Sequence, residues 1–538
     1  MNPKIIPMVP FRLPRAFRAI PPLALILLLI PPRTLRAQVA GDHPRPRVVI
    51  TTDPELDDNN SLIRFLLYSC DVEVDGLIYT SSGYHWKGDG KGTRWYVPGR
   101  EYSRFGLDTC PCTSWRWAKD ERYIDRAVDA YAKVYPNLRV HQPGYPTPAQ
   151  LRSVIRVGNV DFDGDISRDS PGSDLIRSLL LDDRPGKLYI TAWGGESTIA
   201  RALKSIQDRY ENTLEWEAIK SKISRKLVLL PSGDQDDLYA KYIGPHWPQV
   251  ECRQFTGGPN YGYGAQLGAA PADSVYMTAA WMNREVTGAG PLGARYRVWG
   301  DGKQMVKGDI MDYFGFKGYT AEQLRGMGYV VWMPVQPPGS WLGEGDDPTF
   351  MNLPANGLRA EVDGSWGGWG GHTASRVTQP FSYPAGDTSQ QAMEQALGAG
   401  NRKSGADRDD PDFFPAAQRD FAARLKWSVT PVYAQANHAP LVTVEGPLDI
   451  LAARGETIRL NVHVSDPDGN AVAVTWWQFR VGTYPGTVTI RDAGPGCVRV
   501  TIPVNAVAGQ TIHIIAQATD NGSPSLTSYQ RVIVTVRQ

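Results

Sequence analysis

Apolar residues change their spacing repeatedly along the first four-fifths of the chain, and then settle into one spacing to the end. Residues 48–52 (VVITT) are β-rich. Leu62, Ile63, Leu66 and Leu67 then recur at helical spacing, and residues 72–80 (VEVDGLIYT) read as a second strand. Strand, helix, strand in this order predicts a βαβ unit and a parallel sheet. Helices are predicted over 120–134 (Ile124, Ala127, Val128, Tyr131 and Val134 on one face), over 174–181, over 198–206 behind an N-cap at Ser197, and over 415–427. Further strands are predicted over 187–193 and 225–231. From about residue 441 helical spacing stops. Short strands are expected over 457–464, 471–479, 487–490, 498–502, 511–519 and 529–536, parted by turns such as Asp466-Pro467-Asp468-Gly469. The fold class expected is therefore α/β, a mostly parallel sheet with flanking helices over 45–430, followed by a small all-β immunoglobulin-like sandwich over 441–538. Trp476 and Trp477 are adjacent in a strand, so one faces the sandwich core. The other is free to carry a ligand or to lie against the first domain.

The polar residues concentrate where predicted strands end. Asp53, Glu55, Asp57 and Asp58 follow the first strand. Thr80 to Trp86 (TSSGYHW) end the second, Gly194-Gly195 follow Trp193, and Asp234, Asp236 and Asp237 follow residue 231. In a parallel sheet these ends meet at the carboxyl edge, where ligands bind. The aromatic and Gly-rich stretch 83–117 exceeds ordinary connections, which favours a functional loop. Residues 161–169 resemble a calcium loop only loosely, lacking its glycine and terminal Glu, and a solvated loop is expected. A second dense patch, 341–372, offers Trp341, Glu344, Asp346, Asp347, Trp366, Trp369 and His372. Residues 384–412 are polar and poor in pattern, as in a surface loop.

Length and charge narrow the function. A chain of 538 residues calls for at least two domains. A net charge of +1 gives no electrostatic case for nucleic acid. Lys4, Arg12, Arg15 and Arg18, an apolar run over 23–30, and Ala37 and Ala40 follow the order of a secretory signal. Residues 1–40 are therefore expected to be a signal peptide. The mature chain would begin near Gln38 or Gly41, secreted or periplasmic and without a membrane anchor. Five cysteines in so long a chain are not a disulfide scaffold. One or two bridges are possible and the sequence does not pair them. Cys110-Pro111-Cys112 lacks redox or zinc spacing.

Carboxylates as close as Asp53 to Asp58 repel one another when ionised, and a hard cation such as calcium or magnesium removes that penalty. Asp53 and Asp58 can share one ion, while Asp57 points elsewhere on the first helical turn. Capping of the helix explains one acid or two. It does not explain Asp53 or the acids at other strand ends.

TTDPELDD (residues 51–58) resembles the D-x-D-P-G-x-D-D signature of the nucleoside hydrolases. TSSGY, the strand ending in Trp193-Gly194-Gly195 and Asp346-Asp347-Pro348 resemble later segments of that family in the same order. GEGDDPTF, NGL, SWGGWGG and the C-terminal DPDG, GTYPG and TDNGSP are similar to a bacterial family. It is described as nucleoside-hydrolase-like and cellulose-binding, and pairs such a domain with a C-terminal immunoglobulin-like domain. The resemblance implies a Ca2+ site of Asp53, Asp58, the Trp193 carbonyl and Asp346 or Asp347, with Asp346 favoured. It implies that Asp53 helps to deprotonate the attacking water and that Asp57 binds a sugar hydroxyl. The chain departs from the signature at Thr51, Glu55 and Tyr84, and Asp346 replaces the late His.

Three functions follow as expectations. The first is a secreted, calcium-dependent hydrolase of glycosidic bonds in a carbohydrate or glycoside. Asp53 and Asp57 would serve it, with His85, Asp236, Glu344 or His372 at the leaving group. The second is a non-catalytic polysaccharide-binding protein, with Tyr84, His85, Trp86, Trp95, Trp193, Trp341, Trp366, Trp369 and His372 at the sugar. The third is a secreted ribonucleoside hydrolase. Gly88 to Thr93 lacks P-loop spacing, and no G-x-G-x-x-G or G-x-S-x-G elbow is present, which argues against nucleotide-loop, dinucleotide and serine-hydrolase chemistry.

Overall fold

The computed structural model describes residues 45–104, 107, 109–375, 377 and 411–538. The expected signal peptide and all but the end of the polar stretch 384–412 lie outside them. Six parallel strands form the main sheet: β1 (Arg47–Thr52), β2 (Glu73–Tyr79), β3 (Ile155–Val157), β4 (Leu188–Ala192), β5 (Leu227–Pro231) and β6 (Glu251–Cys252), in the order β3-β2-β1-β4-β5-β6. The chain winds outward from β1 in one direction and from β4 in the other. The β1/β4 boundary is thus a topological switch point, with a crevice at the carboxyl ends of both strands.

Strand alternation divides the core. Val48 and Ile50 of β1 point into one buried cluster with Leu62, Ile63 and Leu66, while Val49 points into another with Ile78, Ile190 and Ile199. Helices α1 (Leu56–Tyr68), α2 (Tyr123–His141), α3 (Pro148–Ser153), α4 (Pro171–Leu181), α5 (Ser197–Tyr210) and α6 (Trp216–Lys226) cover the two faces. All of α1 is buried, because the helix Phe414–Val429 packs over its outer side. Among the described residues no helix is long and apolar enough to cross a membrane.

The long stretch after β2 has a small core of its own, Trp86, Tyr102, Cys110 and Trp115, with Phe162 against it and a disulfide between Cys110 and Cys112. Cys70, Cys252 and Cys497 are buried thiols. The loop 161–169 is less solvated than its composition predicts, since Asp163 is buried against Arg100 at 2.7 Å.

A small antiparallel pair, β7 (Gln254–Gly257) and β8 (His372–Ala374), follows the main sheet. The C-terminal strands are β9 (Leu441–Val444), β10 (Asp449–Ala453), β11 (Thr457–Ser465), β12 (Val472–Phe479), β13 (Thr489–Gly494), β14 (Cys497–Thr501), β15 (Thr511–Asp520) and β16 (Thr527–Arg537). They form two sheets, β10-β16-β15-β12 and β13-β14-β11-β9, around an apolar core. Trp476 packs on that core. Trp477, Phe479, Ile515 and Tyr529 face the other way and join the core of the first domain beside Phe413. The outward tryptophan therefore lies against the first domain. Arg531, fully buried, donates to the carbonyl oxygens of Trp366 and Gly367 at 3.2 and 2.9 Å and locks this face in place.

Candidate functional site

The end of β1 and the start of α1 are tied by one carboxylate. Asp58 Oδ1 accepts from the backbone N–H of Asp53 at 3.1 Å and from the Thr52 hydroxyl, which itself meets the Tyr123 hydroxyl. Asp58 thus braces the strand-to-helix turn, and no side chain caps α1 at its N-cap residue Glu55. Asp53, fully buried, takes a hydrogen bond from His85 Nδ1 on Oδ2 at 3.2 Å, and its Oδ1 has no partner. Asp57 Oδ1 accepts from the Tyr263 hydroxyl at 3.0 Å. Its Oδ2 lies so close to Gly345 that a Cβ there would approach to 2.3 Å, which reserves that position for glycine.

The fourth carboxylate arrives from the other end of the domain. Asp346 is buried, accepts from Ser232 Oγ at 2.6 Å on Oδ1, and lies within reach of the Asp58 carboxyl; among the described residues no donor stands in hydrogen-bonding geometry to its Oδ2. Its neighbour Asp347 turns the opposite way, to a buried Arg64 at 2.7 Å, which Glu344 shares at 2.6 Å. The two neighbours thus part, with Asp346, the one favoured from the sequence, at the cavity. Trp193 follows β4, its indole N–H donating to Thr349 Oγ1 at 2.8 Å and its carbonyl accepting from the Gln235 side-chain amide. Asp57, Asp58, Asp346 and Trp193 border a cavity of about 310 Å3, lined also by Glu55, Tyr84, Ser232, Gln235, Phe255 and Tyr263; Asp53 lies behind this lining, joined to it through Asp58.

So many acids in one buried place hold their protons tightly. Burial, opposed by the Tyr263 hydrogen bond and reinforced by the Asp53 charge, pushes Asp57 up to about 6. Burial and then the Asp346 charge hold Asp58 well above the ordinary carboxylate range; burial and then the Asp57 charge do the same to Asp346. Shared protons or a cation relieve such a cluster. Asp53 Oδ1 and Asp346 Oδ2 are hard oxygen donors of the kind that calcium takes. Among the described residues, ligand atoms within 4.8 Å of one another come together as Asp53, Glu55 and His85, and as Glu55, Asp57 and Asp58. Asp57, expected to point elsewhere, borders the same cavity.

Several expected site residues stand elsewhere. Trp86, Trp341 and Trp369 are buried in aromatic cores, so none offers a face to a sugar. Trp95 stacks on Phe162, and the 83–117 stretch is held by this packing. Trp366 and His372 sit at the junction with the sandwich, against His513 and Phe479. Glu344 and Asp347 pair with Arg64, and neither lines the cavity. Asp236 lies behind the Gly194-Gly195 turn, bonded to the Ser197 N–H. Tyr84 borders the cavity and His85 contacts Asp53. Sequence reading missed Ser232, Gln235, Phe255 and Tyr263. Ser232 and Gln235 belong to the polar turn after β5, where only the acids drew notice. Tyr263 lies in a Gly-rich loop with no periodic signal.

Comparison with known proteins places this geometry. A family profile described as the cellulose-binding Sde182, nucleoside hydrolase-like domain matches residues 47–372, and one for the C-terminal domain of cellulose-binding protein Sde0182 matches 457–536. Among solved structures, a nucleoside hydrolase-related hypothetical protein from Saccharophagus degradans, described as associated with carbohydrate metabolism, aligns with a TM-score of 0.63 at 24% identity. The alignment covers 92% of this chain and 100% of that one, and shows a shared fold. A chimeric titin Z1Z2 aligns over 19% of this chain and 99% of its own at 23% identity, with a TM-score of 0.13 that carries no argument. No curated protein matches the chain. The first profile spans well over half of the sequence and every residue of the acidic cavity, so the chain belongs to the cellulose-binding Sde182 nucleoside hydrolase-like family.

Proposed function

We propose that the chain is a calcium-dependent hydrolase of a glycosidic bond in a small glycoside or at a carbohydrate end, working outside the cytoplasm. The observation that carries this reading is the pair of buried, unpartnered carboxylate oxygens, Asp53 Oδ1 and Asp346 Oδ2, beside a cavity sized for about one sugar ring. Asp53, Asp58, Asp346 and the Trp193 carbonyl would hold the ion. When bound, calcium neutralises the cluster and supplies Lewis acidity toward water.

The protein's own residues supply the rest. His85 fixes the Asp53 carboxylate through Oδ2 and leaves Oδ1 to accept a proton from the attacking water. Asp57, held by Tyr263, accepts a sugar hydroxyl. Ser232 orients Asp346. Tyr84, Phe255 and Tyr263 supply ring surface at the cavity. Of the four leaving-group candidates only His85 stands beside this cluster. The extracytoplasmic setting rests on the basic, apolar and small-residue order of residues 1–40.

The test is sugar release from a panel of aryl glycosides and cello-oligosaccharides with calcium or with chelator. Asp53→Asn is expected to lower kcat/KM by at least about 100-fold, the scale of a lost general base. Polysaccharide binding by wild type and Asp53→Asn alike, with no product from any glycoside, would sink this reading. It would leave capture without turnover, which the family's cellulose-binding description favours. Release of free base from inosine or uridine would instead favour a ribonucleoside hydrolase.

A further inference from the structure

Behind the Gly194-Gly195 turn lies a second group of acids that the cavity does not use. Glu196, Asp234 and Asp236 each bring one carboxylate oxygen within 4.8 Å of the others. Their residues are 0%, 3% and 2% exposed. Two of the three have anion-stabilising donors. Asp236 accepts from the N–H of Ser197 at 2.9 Å, at the start of α5, and from that of Leu238 at 3.2 Å. Asp234 accepts from the N–H groups of Tyr239 and Ala240 at 3.2 and 2.9 Å. Glu196 is less well served: among the described residues no donor stands in hydrogen-bonding geometry to either of its buried carboxylate oxygens, and its carboxyl lies within reach of that of Asp236. No ion pair among the described residues reaches any of the three, and nearby Asp237 is taken by Arg100.

A buried carboxylate with neither oxygen satisfied is too costly to persist unless something absent from the polypeptide meets it. A proton on Glu196, shared with Asp236, satisfies one oxygen at most. A cation meets all three side chains at once. We propose that Glu196, Asp234 and Asp236 bind a second divalent cation of the hard, oxygen-preferring class, calcium or manganese, with a structural role. The backbone is shaped for it. A Cβ on Gly195 would stand 2.3 Å from Asp236, and one on Gly194 would stand 3.1 Å from Asp53. One two-glycine turn therefore separates this cluster from the cavity, and an ion here pins the turn that presents the Trp193 carbonyl. The inference stands apart from the proposed hydrolase activity, since it rests on a different set of ligands.

The experiment counts bound metal in the full mature chain after chelation and reloading with Mn2+, and separately by Tb3+ luminescence. Glu196→Gln keeps shape and removes the charge. It is expected to bind one equivalent fewer than wild type, and to lose part of the Ca2+-dependent rise in melting temperature. An unchanged count in Glu196→Gln, with melting in chelator equal to or above wild type, overturns the proposal in favour of a shared proton. Should that variant not fold, Asp58→Asn decides: one remaining equivalent of Tb3+ supports the rear site, and none overturns it. Loss of the cavity ion leaves the Glu196-dependent equivalent in place, so the two sites fail separately.

Discussion

Adjacent residues can have opposite fates, and Asp346 and Asp347 do. Asp347 and Glu344 share the fully buried guanidinium of Arg64, whose other contacts include the ring of Phe421 at 3.9 Å. Removing one partner of such a group leaves charges buried and unpaired. Arg64→Met is therefore expected to cost about 3–5 kcal/mol in urea denaturation. A loss under about 1 kcal/mol would mean that the two acids are neutral in the native protein. Asp346→Asn is expected to behave oppositely. With an isosteric amide the repulsion from Asp57 disappears, so melting in chelator rises, while the part of the increase on adding calcium that the cavity supplies is lost. The sequence showed two acids side by side. Which one faces the cavity depends on where Arg64 sits, a contact between residues far apart in the chain that periodicity does not encode.

At the scale of elements, the β12-β15-β16 face of the sandwich depends on His513 and Arg531. His513 Nδ1 accepts from the Arg531 guanidinium at 3.0 Å and is 2% exposed. Burial, then the Arg531 charge, pushes His513 down to about 4. The unfolded chain takes up its proton near 6.5. The folded state thus binds fewer protons between these values, and stability is full above pH 6.5 and lost as pH falls toward 4. The loss reaches about 3 kcal/mol at its limit. Urea midpoints at pH 4.5 and 7 should differ less in His513→Gln than in wild type; equal differences would place the acid sensitivity elsewhere. The strands and helices themselves were largely legible, because β1, α1 and β4 each carry clean periodicity. Six short or edge strands, β3, β6, β7, β8, β9 and β10, were not. Nor was the fate of the tryptophans. Aromatic residues in Gly-rich loops read as a sugar platform, yet Trp86, Trp341 and Trp369 fill cores, and composition alone does not distinguish the two.

For the molecule as a whole, calcium binding and folding should be linked. An ion that binds only the folded chain adds stability by about 1.4 kcal/mol for each tenfold rise in free calcium beyond its dissociation constant. Chelation is accordingly expected to lower the melting temperature, with recovery on adding calcium. Melting curves that coincide with and without calcium would contradict the calcium site at the cavity, and curves that coincide also with and without Mn2+ would contradict the rear site. The parallel sheet and the gathering of acids at its carboxyl edge were foreseeable from the order of elements, whereas the strand order that sets β1 beside β4 was not. The depth of the cavity and its neighbours Ser232, Gln235 and Tyr263 were not, since loops set them. The acids at the cavity enter the chain at two distant times: Asp53, Asp57 and Asp58 emerge early and Asp346 late. During synthesis the first three have only one another, and the group is complete only once the segment carrying Asp346 has docked. Such non-local closure is slow to form. Metal uptake is then a clock for folding: adding Tb3+ at increasing delays after dilution from denaturant should give luminescence that grows with the last tertiary phase, well after helical signal has returned.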